Sequence, residues 1–535
     1  MNAGDTAWVL VCAALVMFMT PGLALFYGGM VRVNNVLTMI MQNIIPLCVI
    51  SLTWVIVGYT LAFSNEGNSV IGNVDAFSLL EVDAPQFHTV AGAVTIPALA
   101  FVAFQMMFAV ITPALLTGAV AGRLKFFGWV CFLVIWSIVV YPLVARWLWA
   151  PQGWLADLGA QDWAGGMVVH ASAGAAAIAV LLVVGRRKGW SSTASSPNNL
   201  PLMLVGAGIL WFGWFGFNAG DGLQADAVAA QAMMNTHIAA SAAMLTWLLV
   251  EQLTSGHSTL VGAVSGAIAG LATITPCAGF VSTGGAVAIG LIAGLLCNLA
   301  VRLKFLLRYD DALDVIAVHF LGGVLGTLLL GFFGSSDINP VGADGVFYGG
   351  GGSLLWHQVV ALVSVVVFSL VVSWIIAMAV QLTIGLREPL DEQDHLDEVQ
   401  QGATGYALGD VTSRLTESAV PARTNGHRLT PADAGGDGHG ALRLVTATVR
   451  SEQVDELRDA LLAAGAQSLE LTSAAVYTGE LRSAMFRGSL QQSSFHDRLR
   501  VEVLVDQSRL PEVVAALNRA GVEPRSLHQQ EVSTL

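Results

Sequence analysis

Long apolar runs separated by short polar loops set the pattern of the first 385 residues. A helix that crosses a bilayer needs about 20 mostly apolar residues. Eleven stretches qualify, near 6–27, 36–63, 94–121, 126–144, 163–185, 200–219, 228–250, 259–275, 280–301, 315–334 and 354–385. Small residues crowd two of them. "GGMVVHASAGAAA" in the fifth and "HFLGGVLGTLLLGFFG" in the tenth let backbones approach closely, as helix interfaces in a membrane require. After residue 385 the pattern changes. The acidic run "EPLDEQDHLDE" and a polar, Gly- and Pro-containing stretch to about 441 read as a tail and linker. From Leu442, "LRLVTATV" and "RLRVEVLV" alternate like half-buried strands, and "SEQVDELRDALLAAG" and "RLPEVVAALNRAG" read as amphipathic helices stopped by Gly465 and Gly521. With "QSLELTSAAVY" between them the order is β-α-β-β-α-β, the ferredoxin-like arrangement. Roughly twenty residues, Tyr477 to Asp497, are expected as a loop between the middle strands, and loops of that length are usually functional or disordered. The expected organisation is a membrane domain (1–385), a tail and linker (386–441) and a small α+β domain (442–535).

Composition sharpens this reading. Charged residues make up 11% of the 535 positions, against about 25% in an ordinary soluble domain. Only ten of the 24 Lys and Arg residues lie before residue 386. Arg32, Arg123, Lys125, Arg186, Arg187, Lys188, Arg302, Lys304 and Arg308 all fall in alternate loops, and Arg387 follows the last span. The opposite loops hold Arg146 alone. By the positive-inside rule the basic side is cytoplasmic, the N-terminus is outside and the tail inside. "MNAGDTAW" has no positive n-region, so the first apolar run reads as a span and not as a cleaved signal peptide. A net charge of −13 leaves no basic surface for nucleic acid. The five cysteines sit in or beside apolar segments without metal-ligand spacing.

Two ionisable pairs stand out inside this apolar frame. His170 follows Asp162 by eight positions, and His319 follows Asp311 by the same interval. The spans that carry them, the fifth and tenth, are five crossings apart and therefore run in opposite directions, which predicts a five-plus-five inverted repeat of the kind found in transporters. Eight helical residues rise about 12 Å, so the imidazoles are expected near the midplane, approached from opposite sides, where the two can meet.

Each polar residue has a plainer reading. An intramembrane His can serve as a hydrogen bond between helices, but ionisable groups in spans face the bundle interior and mark function by default. Two facing His side chains can also ligate a haem iron axially. Asp162 and Asp311 read foremost as helix caps. A cap at the outer mouth would still lend negative potential to a cation site. Phe104, Phe108, Trp149, Trp214 and Phe217 cluster near outer span ends, either as an interfacial belt or as a cage whose ring faces attract a cation. His237 lacks a repeat partner and reads as structural, while His88, His257 and His357 read as loop or span-end residues.

These residues carry a resemblance to the ammonium transporter family (Amt/Mep/Rh). "MTPGLALFYGGMVR" resembles its first-span motif, and "FQMMFAVITPAL", "DWAGGMVVH", "WFGFNAG" and "DDALDVIAVHFLGG" resemble its core motifs in their usual order, over about residues 1–406. The resemblance implies a homotrimer with one narrow pore per subunit and no cofactor in the pore. It implies that Phe108 and Trp149 bind ammonium at the outer side with support from Asp162. Phe108 and Phe217 are then the gate, and His170, His319, Trp214 and Phe26 line the pore. The family usually has Ser after "WFGFNAG"; here Asp221 stands there and becomes a candidate ligand for the ion.

The last hundred residues resemble, less closely, the PII signalling family, through "LRLVTATVRSEQVDELRDALLAAG" and through "MFRG", where that family has Tyr-Arg-Gly. Its two nucleotide-contacting segments are replaced by "AGVEPRS" and "VYTGELRS". A nucleotide effector bound otherwise than ATP in that family is the expectation, with Arg482, Arg487 and Arg498 as candidate phosphate ligands. The function expected is ammonium transport regulated by the attached domain, in which ammonium is recruited, deprotonated and conducted as ammonia. The alternative is a receptor that binds ammonium and signals through the tail with little flux.

Overall fold

The computed structural model describes residues 1–64, 67–73, 95–190, 197–406, 442–449, 454–466, 468–486, 489–519 and 528–532. His88, Arg487 and most of the linker lie outside them. Two compact units emerge, one built mainly from residues 1–405 and one from the C-terminal strands and helices.

The first unit is helical. Among the described residues, ten helices are long and apolar enough to cross a membrane: α1 (Ala3–Met30), α2 (Val33–Phe63), α3 (Ala98–Leu116), α4 (Phe126–Leu158), α5 (Gly166–Val184), α6 (Leu200–Ala219), α7 (Ala227–Ser255), α9 (Thr283–Leu306), α10 (Ile316–Phe333) and α11 (Ser353–Thr383). The eighth expected span is a shorter apolar helix, α8 (Leu260–Ile274), of 15 residues. It is cut short where Thr275 and Pro276 lead into the turn that meets Trp163 and Ala164. Helix starts follow capping chemistry: Asn2, Asn199, Asp226, Thr259 and Ser282 each accept a backbone N–H from the first turn. Outward-facing side chains are large and apolar, among them Phe212, Leu182, Leu245 and Leu253, as a lipid-facing surface demands.

Glycine sets two close approaches. A Cβ on Gly206 of α6 would strike the backbone of Gly22 and Phe26 on α1. On α5, a Cβ on Gly174 would strike Phe320 of the α10 segment, and a Cβ on Gly323 would meet the Gly166 carbonyl and His170. The small-residue runs thus bring the two histidine-bearing helices together, as their sequence suggests.

Arg146, the lone basic residue expected on the outer side, is buried and donates to the carbonyls of Asn68 (3.2 Å), Ala62 (3.4 Å) and Ser64 (2.6 Å) and to Gln152 (2.9 Å). It therefore caps chain ends and leaves the charge asymmetry of the loops intact. Between the α3 and α4 ends, Arg123 is buried against Asp310, 3.2 Å away, and Arg187 pairs with the same carboxylate at 2.6 Å. Burial pushes the Asp310 carboxyl up, but the two guanidinium groups outweigh it and hold it below the usual range.

The acidic segment after α11, read from sequence as the start of a loose tail, is docked as far as residue 405. Asp397, in the short helix α12 (Leu396–Gln401), accepts the N–H groups of Leu37 (3.0 Å) and Thr38 (2.8 Å) at the start of the long helical part of α2. Asp394 pairs with Arg32 and Lys188 at 2.6 and 2.7 Å. Carboxylates at a helix N-terminus and among loop cations lie where the helix dipole and loop charge favour them, so the acidity that suggests a solvated run is spent on contacts.

The second unit runs β1 (Leu442–Val449), α13 (Val454–Ala463), β2 (Ser468–Phe486), β3 (Ser489–Asp506), α14 (Leu510–Arg519) and β4 (His528–Val532). The strand order is β2-β3-β1-β4, with β1 antiparallel to β3 and β4. Val445, Ala447, Val501, Val503 and Val505 alternate onto one face and bury Leu457, Leu461, Val513 and Leu517 of the helices. Gly465, at φ 87°, closes α13 in the left-handed conformation that glycine adopts freely. The loop expected over 477–497 is corrected here: β2 continues to Phe486 and β3 begins at Ser489. "VYTGELRSAMF" has an alternation that serves a long hairpin as well as it serves a polar loop. Arg482 and Arg498 are therefore strand residues.

Candidate functional site

The site assembles where α3, α4, α5, α6 and α10 converge. Asp162 precedes α5, and its carboxylate accepts four backbone N–H groups, from Gly165 (3.2 Å), Gly166 (2.5 Å), Met167 (2.8 Å) and Val168 (2.9 Å). The cap reading holds. Asp311 does the same for α10 through Val315 (3.1 Å) and Ile316 (2.8 Å). Both capped starts are π-helical, Gly166–Ala171 and Ile316–Phe320, and each wide turn contains the histidine. Such turns are rare and occur often at functional sites. They rotate the imidazoles inward: His170 Nδ1 and His319 Nδ1 lie 3.3 Å apart, with ring planes at 18°. Both residues are buried.

Rings frame the pair. Trp214 stacks on His170 with centroids 5.5 Å apart, and its indole N–H donates to the Thr275 hydroxyl at 2.9 Å. Phe217, one turn along α6, reaches His170 at 6.2 Å on one side and Phe108 of α3 at 4.3 Å on the other. Phe108 in turn meets Phe104 at 4.9 Å and Trp149 of α4 edge-on at 5.8 Å. Trp149 is fixed by its indole N–H on the Asp162 carbonyl, 2.8 Å away. Phe104, Phe108, Trp214 and Phe217 are fully enclosed. An interfacial belt would face lipid headgroups, so these four rings form an internal cluster.

Below Phe217 a narrow cavity is lined by His170, His319, Trp214, Phe217, Phe26 and aliphatic side chains of α1, α3, α5, α6 and α8. All five residues expected to line the pore or its gate on that side thus border one space.

Asp221 lies beyond the end of α6, on the side of Phe217 away from the histidines. Its neighbour Gly220 abuts the Phe104 ring, and Gly222 abuts Trp163. The Asp221 carboxylate accepts no hydrogen bond and joins no ion pair among the described residues. Burial, and then the nearby charge of Asp162, push it well above the usual carboxylate range. Burial likewise pushes the Asp162 carboxyl up to about 6, against the pull of its four N–H donors.

Three neighbours are not singled out by sequence. Thr275 orients Trp214. Trp163 donates to the Asn218 carbonyl at 2.7 Å and fixes the chain between Phe217 and Asp221. Tyr141, buried against Trp54 and Trp136 at 6.0 and 6.3 Å, has a hydroxyl without a hydrogen-bond partner. The Tyr-Pro step in "VVYPLV", which breaks α4 at Val140, is the one local signal that marks it. His237 is exposed and packs against Trp211 and Phe215, 5.5 and 6.2 Å away and apart from the site. His257 and His357 do not contribute to the cavity either.

The arrangement is a cluster of aromatic rings and carboxylates, with an apolar passage and two imidazoles beyond. Known proteins share the frame. The Ammonium Transporter Family matches residues 7–406. An ammonium transporter of Mycobacterium tuberculosis is 45% identical over 431 residues, covering 76% of this chain and 90% of its own. One of Bacillus subtilis is 45% identical over 408 residues, covering 76% and 99%. The crystal structure of Saccharomyces cerevisiae Mep2 superposes with a TM-score of 0.67 at 32% identity, over 73% of this chain and 88% of that one. Resemblance in sequence, in helical frame and in family motifs agrees, and the chain belongs to the ammonium transporter family.

Proposed function

We propose that this transporter, which is no enzyme, moves ammonium by separating the ion from its proton and passing neutral ammonia through the Phe26–Trp214–His cavity. An ion enters an apolar passage at a cost far above that of a neutral amine. Trp149, Phe108, Asp162 and Asp221 concentrate the cation on one side; ring faces attract it, and two carboxylates supply negative potential. Phe108 and Phe217 close the way to anything larger. Beyond them, His170 and His319 accept and donate hydrogen bonds to ammonia or relay the released proton. The observation that carries this reading is the 4.3 Å Phe108–Phe217 contact, which separates the carboxylate side from the paired imidazoles.

The wider reading is a homotrimer of eleven-span subunits in the cytoplasmic membrane, N-terminus outside and C-terminus in the cytoplasm. Matched Asp-to-His intervals, matched π-turns and the α1–α6 and α5–α10 contacts support a five-plus-five inverted repeat. Residues 442–535 form a ferredoxin-like, PII-like regulatory domain for which a small nucleotide is the candidate effector; a three-fold pore and a three-fold domain share an axis. Ammonium jumps on protein reconstituted on a solid-supported membrane, with methylammonium uptake in parallel, test the reading. Current and uptake are expected. Ammonium binding without either would favour the receptor reading, and a Soret band would favour haem.

A further inference from the structure

The short helix α8 ends at a junction that holds two walls of the cavity. Past Ile274 the chain turns, and the carbonyls of Thr275 and Pro276 accept the N–H groups of Ala164 and Trp163, each at 3.2 Å. The Pro276 ring lies against Gly166, where a Cβ would strike it. The start of α5, which carries His170, is thus seated on this turn. The Thr275 side chain reaches a third element, α6. Its hydroxyl donates to the Leu271 carbonyl at 2.8 Å and accepts the Trp214 indole N–H at 2.9 Å. A hydroxyl has one proton and an indole N–H can only donate, so the pair has a single polarity. The first of these bonds is a common habit of threonine in helices. Thr273, two residues earlier, makes such a bond to the Ala269 carbonyl at 2.8 Å. The second bond is the unusual one, because it fixes a ring that lines the cavity.

Trp214 lies nearly parallel to His170, at 21° and 5.5 Å between centroids, and meets Phe217 at 5.7 Å. An indole turns about two side-chain bonds, the second of them soft, so the hydrogen bond at its N–H end decides the tilt of the ring. Thr275 is fully enclosed and is not among the residues that line the cavity, so the N–H it accepts is turned out of the passage. We propose that Thr275 is a specificity-determining positioning residue. By tethering Trp214 to the junction of α8 and α5 it fixes the room beside His170 and the backing of Phe217, and with them the preference for ammonia over methylated amines. The hydroxyl touches no substrate and acts through the indole. Without it a buried N–H is left unsatisfied and the ring tilts in search of an acceptor. Fixed walls are what let a pocket tell one carbon more or less, by about tenfold to two-hundredfold.

This assignment rests on the transport reading, and the test keeps the two apart. Full-length wild type, Thr275→Val, Thr275→Ser and Thr273→Val are reconstituted, and currents from ammonium and methylammonium jumps are compared on the same solid-supported membranes. Thr275→Val keeps the shape and loses the acceptor; its methylammonium-to-ammonium ratio should rise about tenfold, the low end of discrimination against one carbon. Thr275→Ser keeps the hydroxyl and should show the wild-type ratio. Thr273→Val loses only a bond back along its own helix and should leave the ratio unchanged. Thr275→Ala takes the place of Thr275→Val if the latter does not fold. Trp214→Phe, which removes the N–H and leaves Thr275 in place, should raise the ratio as well, and Thr275→Val added to it should raise it no further. A fall in both currents at an unchanged ratio overturns the assignment, because the hydroxyl then only supports the fold. A wild type without ammonium current overturns the transport reading and this assignment with it; current with a ratio that no variant moves overturns the assignment alone.

Discussion

His170 Nδ1 and His319 Nδ1 face each other at 3.3 Å. Two nitrogens at that separation hold one proton between them, so one imidazole donates and the other accepts, and the outer Nε2 atoms carry the complementary roles. His170 Nε2 is buried without a partner in the protein and is aimed along the cavity that Trp214, Phe217 and Phe26 line. A buried ring nitrogen left unsatisfied costs about 1–3 kcal/mol, which a small polar molecule in the cavity would recover.

His170→Ala and His319→Ala are each expected to lower ammonium current by about tenfold or more, since either change removes the shared proton and enlarges an apolar space. Solid-supported membrane currents, normalised to folded protein by size-exclusion chromatography, measure this. Wild-type currents in both variants would remove the pair from the mechanism.

Asp221→Ser should weaken ammonium binding. A hydrogen bond to a charged group contributes about 1.5–3 kcal/mol, equivalent to roughly tenfold or more in affinity. The half-saturation concentration reads this directly. If it stays at the wild-type value, the carboxylate points to water.

Much of this site is legible in the residues, for a physical reason. An imidazole or carboxylate in an apolar span has few stable places to go, so the eight-residue Asp-to-His interval, repeated in antiparallel spans, defines both a cap and a meeting point. The π-turns that rotate the rings leave no mark in composition, and neither does Thr275, whose hydroxyl matters through a partner 61 residues away. Polar runs mislead more easily. "EPLDEQDHLDE" has the composition of a solvated tail, yet Asp394 and Asp397 find two cations and a helix start that lie far off in sequence. The stretch 477–497 alternates weakly enough to pass for a loop, and pairing between its two halves makes it a hairpin instead.

Asp310→Ala should destabilise the membrane unit severely. Arg123 is enclosed and donates to the carbonyls of Ala119 (2.6 Å), Gly185 (2.5 Å) and Asp310 (2.7 Å), with Asp310 supplying the balancing charge. Breaking a buried pair from one side costs about 3–5 kcal/mol because the remaining charge is stranded. A fall in the thermal unfolding midpoint in detergent is the expected readout. Because the Asp310 carboxyl is held below its ordinary value, its contribution is present at neutral pH and is lost only as pH falls through its depressed folded pKa. The variant should therefore differ most from wild type at neutral pH and least in strong acid.

Asp397→Ala should loosen the docked tail without unfolding the spans. It removes the acceptor for the first N–H groups of the α2 helix, a loss of about 1 kcal/mol for a typical cap. Hydrogen exchange is expected to quicken in residues 33–38 and 388–402 and to stay unchanged around His170 and His319. Equal quickening at the paired histidines would mean that the tail braces the cavity as well.

The C-terminal unit should fold when produced alone as residues 442–535. Its core is self-contained: Val445 and Ala447 of β1, Val501, Val503 and Val505 of β3, and Leu457, Leu461, Val513 and Leu517 of the two helices pack on one another. Strand order β2-β3-β1-β4 leaves β1 paired on both edges, so the central ladder needs no partner from outside. A domain this small carries only a few kcal/mol of net stability, and a cooperative urea transition with a well-defined midpoint is the expected result. Titration calorimetry against adenine, guanine and cyclic dinucleotides then tests the effector. Guanidinium groups bind phosphate through paired N–H donors, so Arg482→Ala and Arg498→Ala should each weaken a bound nucleotide about tenfold while leaving the urea midpoint within a few tenths of a kcal/mol in free energy. Binding that ignores both arginines would place the nucleotide elsewhere on the domain. No binding at micromolar concentration would leave the domain as a tethered clamp, and its removal should then change ammonium flux without any effector.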